Sequence, residues 1–241
     1  MKKINLQAFG LLSFSKPTLK SFIEMQKKLY QKGTSDHLEH NGNTDYWNIL
    51  LGDVKNNFDG GRALDFGCGK GRNISNLLSL TKFKQVDGCD LSEENINHCR
   101  SVFNSLNHNF FLSSGTDTGA TKSDYYDFVL STITLQHIPV YTIRSKILTD
   151  ILRVMKPGGL FAFQMGFGVN LEDQLGRPKS RYFDDAVDAK SSNGNHDVRI
   201  LHTDEIVNDL AKIGLKKVET SIRESFSDIG HPSWIYVKCY K

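Results

Sequence analysis

From residue 62 onward the chain alternates short apolar runs with stretches of helical period. "RALDFG" (62–67), "KQVDGCD" (84–90), "HNFFLSS" (108–114), "YYDFVLS" (125–131) and "LFAFQM" (160–165) are too short for helices and are bounded by turn residues, so each predicts a buried strand. Between them Ile74, Leu77 and Leu78 mark one helix, and Ile96, Cys99 and Phe103 a second. Ser92 can cap the second helix, with Glu93 and Glu94 in its first turn, where the helix dipole favours acids. Ile143, Ile147, Leu148, Ile151 and Leu152 predict an amphipathic helix over 142–155. It should stop at "KPGG", since Pro157 disfavours helix at Lys156 and the glycines allow a sharp turn. A helix over 203–213 is expected to be capped by Thr203 and ended by Gly214. "LKKVETSI" and "SWIYVKCY" follow with no helix between them, which predicts an antiparallel pair.

Two regions depart from this rhythm. Ahead of the first strand, Leu19, Phe22, Ile23, Leu29 and Tyr30 fall at helical spacing after Pro17. A polar loop, "QKGTSDHLEHNGNTD", and a short helix, "YWNILLGDV", come next, and residues 1–60 are assigned to an N-terminal helical cap over a main domain at 61–241. Residues 167–202 are rich in Gly, Asn, Asp, Lys and Arg and lack periodicity, so this long connection is expected to form a lid. The alternation itself predicts an α/β sandwich in which helices cover both faces of a mostly parallel sheet. Ligands of such sheets sit beyond the carboxyl ends of the strands. "DFGCGKG", "CDLS", "SSGTD" and "STITLQH" are all carboxyl ends, and they hold most of the polar chemistry.

Composition narrows this picture only a little. A length of 241 residues with 39% apolar content supports one large domain with a full core. The formal charge of +3 is too small to argue for a nucleic-acid or membrane partner. Cys68, Cys89, Cys99 and Cys239 form no C-x-x-C pair and have no histidines at zinc spacing, so a reducing, cytoplasmic setting and no structural metal are expected. The amino terminus begins like a signal peptide, but Asn5 and Gln7 interrupt its apolar stretch and no A-x-A-like site follows; it is read as part of the mature protein.

The chemistry turns on "ALDFGCGKGRN" (63–73). A dinucleotide turn reads G-x-G-x-x-G, whereas here Gly67, Gly69 and Gly71 stand at alternate positions with Asp65 just ahead. A carboxylate repels a pyrophosphate at short range and suits an ammonium-bearing ligand. The stretch matches the D/E-x-G-x-G-x-G motif and thereby resembles class I S-adenosylmethionine-dependent methyltransferases. Asp90, "YDFVLS" and "LRVMKPGG" stand at the distances that family requires. The resemblance implies seven strands in the order 3-2-1-4-5-7-6, with strand 7 antiparallel. It implies S-adenosylmethionine as cofactor, with Gly67, Cys68 and Gly69 against its methionine part and Asp65 balancing its ammonium group. Arg72 resembles the family's "GR". Asp90 is expected to take both ribose hydroxyls, Leu91 to pack on the adenine, Gly115, Thr116 and Asp117 to edge it, and Ser131 with Thr132 to close the pocket beneath.

Absent motifs limit the acceptor. No D/N/S-P-P-Y/F follows the fourth strand, no acids stand there to hold magnesium, and no paired-glutamate loop is present. What remains is metal-independent methylation of a small molecule. A hydroxyl acceptor needs a base, for which His137 after the fourth strand and His196 in the 167–202 connection are the candidates. Tyr182, Asp184, Asp185, Asn195, Asp197 and Arg199 make that connection polar, which points to a hydroxyl on a sugar or glycosylated metabolite. Tyr46 and Trp47 stand either at the methionine end or in the core, and His231 and Trp234 either reach the pocket or pack on the sheet. Two other functions stay open at this point: an NAD-linked oxidoreductase on a similar sheet, and a non-catalytic cofactor-binding partner subunit.

Overall fold

The computed structural model describes residues 19–31, 44–52, 54–104, 107–119, 122–168, 198–224 and 233–241. Three helices come first: α1 (Leu19–Tyr30), α2 (Thr44–Leu51) and the single turn α3 (Val54–Asn57). Strand and helix then alternate through β1 (Arg62–Phe66), α4 (Arg72–Leu80), β2 (Gln85–Asp90), α5 (Glu93–Val102), β3 (Phe110–Leu112) and β4 (Tyr126–Ser131). A 3-10 turn at Leu135–His137 leads to α6 (Tyr141–Val154) and β5 (Met155–Phe167). The chain closes with β6 (Arg199–Ile200), α7 (Thr203–Ile213), β7 (Lys216–Glu224) and β8 (Ser233–Tyr240).

The strands form one sheet in the order β3-β2-β1-β4-β5-β8-β7, with the two-residue β6 attached to β5. β1 to β5 run parallel, and β8 lies antiparallel to both β5 and β7. This is the order expected from the sequence; β6 is the one addition. Period-two alternation along the strands builds two cores. Leu64, Phe66, Val129, Phe161 and Phe163 pack with Ile143, Ile147 and Ile151 of α6, Leu210 of α7 and Phe22 of α1. Ala63, Val86, Phe128, Leu130 and Ala162 face the other way, against Ile74 and Leu77 of α4, Ile96 and Cys99 of α5, and Tyr46, Trp47, Leu50 and Leu51 of α2. The sheet is thus sandwiched between two helical layers.

Tyr46 and Trp47 are 1% and 3% exposed and pack in the core on the α4 side of the sheet, one of the two placements open from the sequence. Two local differences from the sequence-based expectation have physical causes. Thr203 is not a cap: His202 holds that position, with no side-chain hydrogen bond, and Thr203 opens the helix. Gly214 does end α7, in the left-handed conformation with φ 107°. The "KPGG" turn does not separate α6 from β5 cleanly. Met155 already pairs with Tyr126, and the next pair, Phe128 with Leu160, follows only after a bulge containing Pro157. Lys156 anchors that bulge, donating from Nζ to Asp127 at 2.7 Å and 2.8 Å. Among the described residues no helix is long and apolar enough to cross a membrane.

Candidate cofactor and active site

The β1–α4 turn owes its shape to its glycines. Gly67, Gly69 and Gly71 have φ of 77°, 52° and 89°, a region costly for any residue with a Cβ. Two of them also answer steric demands. A Cβ on Gly67 would lie 2.2 Å from Thr134 Oγ1, and one on Gly71 would lie 2.5 Å from Cε2 of Phe103, which follows α5. The turn is tied to the next strand as well: Gly67 and Cys68 N–H donate to Cys89 O, at 2.8 Å and 3.0 Å.

A cavity of about 430 Å³ opens above this turn, at the carboxyl ends of β1, β2 and β4. Of the residues named from the sequence, Gly67, Cys68, Gly69, Arg72, Asp90, Leu91, Gly115 and His137 line it. Asp90 is fixed by its own neighbours. It accepts from Gly69 N at 2.9 Å, Ser92 N at 2.8 Å and Asn95 Nδ2 at 3.2 Å. Burial raises its carboxyl above the ordinary range while these donors pull it back. With the Leu91 N–H, which also acts on this carboxyl, four donors face its roughly four acceptor positions. A grip on two ribose hydroxyls therefore requires positions to be shared. Ser92 meanwhile caps α5 as the sequence predicts, accepting from Asn95 N at 3.3 Å.

Asp65, Thr116, Asp117 and Ser131 do not line the cavity. Ser131 donates to Phe66 O at 3.1 Å and ties β4 to β1. Asp117 is spent on its own turn, accepting from Ser114 N at 3.0 Å and Gly119 N at 2.9 Å, with Thr116 beside it. Of that trio only Gly115 reaches the cavity, under Ile23 of α1; a Cβ there would lie 2.6 Å from Ile23 Cγ2.

Asp65 stands one layer behind the cavity wall. It is fully buried, and Asn73 Nδ2 donates to its Oδ1 at 3.3 Å and to Thr132 Oγ1 at 2.9 Å. Burial pushes the Asp65 carboxyl up to about 7, against the opposing pull of Asn73 and of the Arg72 charge. Its Oδ2 and the Asn73 Oδ1 are buried with no hydrogen-bond donor. Buried acceptors left in this state are costly unless a donor arrives. Asn73 and Thr132 both line the cavity, so a cation there would lie against Asn73 with the Asp65 carboxyl directly behind it. An ammonium group fits that requirement and a phosphate does not.

Sequence reasoning passed over Asn73, and its signal was available. It is a polar residue adjoining the buried Ile74 and Leu77 face of α4, eight positions after Asp65. Ile133 was passed over too. It lines the cavity with φ 53°, rare for a β-branched residue and the kind of strain that collects at functional sites.

The remaining candidates divide. His137 lines the cavity from the 3-10 turn, its ring centroid 6.3 Å from that of Tyr30 on α1. Cys68 is kept as a neutral thiol, its pKa raised by the Cys99 side chain and by burial, which makes it a poor nucleophile. Trp234 sits on β8, packed against the α2-side core. Arg199 lies on β6. His196, Tyr182, Asp184, Asp185, Asn195, Asp197 and His231 lie outside the described residues, as does the expected lid from 169 to 197.

Known proteins carry the same signature. Residues 64–163 match the family described as Methyltransferase domain, a stretch running from β1 into β5. A curated relative, the fatty-acid O-methyltransferase of Mycolicibacterium smegmatis, is 30% identical over 105 residues; the match covers 44% of this chain and 37% of that protein. The fold is shared with a SAM-dependent methyltransferase from Methanosarcina mazei (TM-score 0.57, 19% identity, 78% of this chain and 95% of that one). It is also shared with Haemonchus contortus phosphoethanolamine N-methyltransferase 2, solved with phosphomonomethylethanolamine and S-adenosylhomocysteine (TM-score 0.62, 16% identity, 92% of this chain and 57% of that one). Glycine turn, sheet order and domain match agree: residues 64–163 match a methyltransferase domain, and the sheet has the fold of solved S-adenosylmethionine-dependent methyltransferases.

Proposed function

We propose that this chain transfers a methyl group from S-adenosylmethionine to an oxygen of a small-molecule acceptor without a metal, with His137 taking the acceptor's proton. The observation that carries the donor half is the buried Asp65–Asn73 pair with its two donorless oxygens, next to a glycine turn that offers bare backbone. Gly67, Cys68, Gly69 and Arg72 hold the methionine part, and Asp90, Leu91 and Gly115 the nucleoside. S-adenosylmethionine supplies a methyl group already activated by its sulfonium. The chain's own work is then alignment, exclusion of water and acceptance of a proton. An imidazole such as that of His137 can take the proton of a hydroxyl acceptor.

The narrower expectation, a hydroxyl on a sugar or glycosylated metabolite, rests on the polar 167–202 connection, and so does His196 as an alternative base. A carboxylate, the group named in the M. smegmatis relative, needs no base. Both questions fall to one assay. Purified protein is given methyl-labelled S-adenosylmethionine and fractionated small molecules. Label should enter one fraction, and His137→Gln should lower kcat by about 10²-fold or more with little change in KM. Full turnover by His137→Gln at every pH rejects His137 as the base, and label in no fraction rejects methyl transfer to a small molecule.

A further inference from the structure

The sheet order divides the cavity in two. The candidate nucleoside contacts Asp90, Leu91 and Gly115 follow β2 and β3, on one side of β1. His137, Ile138, Ile143 and Ile147 follow β4, on the other side. Phe22, Ile23, Gln26, Leu29 and Tyr30 of α1 complete the cavity wall. Phe22, Ile143 and Ile147 are each 2% exposed and pack in one cluster with Ile138 against them, so this wall is continuous with the core. Beyond the His137 ring, the Gln26 amide and the Tyr30 hydroxyl, its side chains are hydrocarbon or aromatic.

Such a wall discriminates by what it leaves unpaired. A hydroxyl-rich body pressed against Ile143, Ile147 and Leu29 would lose its water without gaining hydrogen bonds, at a cost of about 1–3 kcal/mol per group. A hydrocarbon body gains from the same burial. We infer that the methyl acceptor carries its nucleophilic oxygen on an apolar body, a hydrocarbon chain or ring that occupies the compartment between α1 and the start of α6, with the oxygen turned toward His137. This rests on the methyl-transfer reading and replaces the sugar-like acceptor by an apolar one.

Titration calorimetry on the protein saturated with S-adenosylhomocysteine tests it, using 1-octanol, octanoate and glucose as probes. An octyl probe should bind with a negative heat-capacity change, and glucose should not bind. Leu29→Asn should weaken the octyl probe about tenfold. Leu29→Met should stay within about threefold of wild type. Unchanged affinity for S-adenosylhomocysteine in both variants shows that they are folded. Glucose binding without octyl binding overturns the inference, and so does an octyl affinity indifferent to Leu29→Asn. If S-adenosylhomocysteine itself does not bind, the cofactor reading fails, and octyl binding to the protein alone still decides the compartment.

Discussion

Asp65 is an acid held near its own midpoint at neutral pH. Its carboxyl sits at about 7 in the folded protein, against roughly 4 in an unfolded chain. The folded state therefore binds the extra proton between those values. The stability this contributes is complete below about pH 4 and disappears as the pH rises to about 7, an effect of up to about 4 kcal/mol. Urea unfolding at pH 5 and pH 8 should show this loss in the wild type and not in Asp65→Asn. A ligand ammonium reverses the preference, because it favours the ionised carboxylate. Affinity for S-adenosylhomocysteine should then rise about tenfold per pH unit up to 7 and flatten beyond it. A flat profile in the wild type would remove Asp65 from cofactor binding. Gly67 offers a second check at this scale. Gly60 and Gly67 have φ of 70° and 77°, but a Cβ on Gly60 would meet nothing within 4 Å whereas one on Gly67 would meet Thr134. Gly60→Ala should cost only the backbone term of about 1–2 kcal/mol. Gly67→Ala should cost more and should also lose cofactor affinity, measured by unfolding and calorimetry.

Elements bring these residues together through a few specific ties. The 113–119 turn, which sets Gly115 under α1, is pinned to α6: Thr118 N and Oγ1 donate to Asp150 Oδ2 at 2.8 Å and 2.7 Å, and Arg153 Nε donates to Asp150 Oδ1 at 2.6 Å. Burial alone would raise the Asp150 carboxyl, but Arg153 and Thr118 outweigh it and hold it below the ordinary range. Asp150→Ala should cost about 1.5–3 kcal/mol in urea unfolding. It should also weaken cofactor binding by loosening the turn; unchanged affinity would show that the turn holds its shape alone. No part of this tie was visible in the sequence, because Thr118 and Asp150 are 32 positions apart and meet only once the sheet exists. What was visible is local. The stripe through Ile143, Ile147 and Ile151 marks α6, Ser92 caps α5, and Gly214 ends α7. Thr203 misled because a side chain with capping chemistry stood one residue inside the helix, with His202 at the cap position.

At the scale of the whole molecule, strand runs and the family resemblance together anticipated the sheet order, since each buried strand reads as an apolar block and the glycine turn marks the first. The lining of the cavity was legible at the strand ends, at Gly67, Gly69, Asp90, Leu91 and Gly115. It was less so where packing decides which side of a strand end is open. Ser131 and Asp117 have suitable chemistry in suitable places, yet one ties two strands and the other folds its own turn. Asn73 joins the site because α4 lays it between Asp65 and Thr132. The central claim is that this assembly holds a cationic methyl donor rather than a nicotinamide dinucleotide. The direct measurement is thermal unfolding with S-adenosylhomocysteine or with NADH. S-adenosylhomocysteine at a hundred times its Kd should stabilise the protein by about 2.7 kcal/mol, with no shift from NADH. Stabilisation by NADH alone would contradict the account.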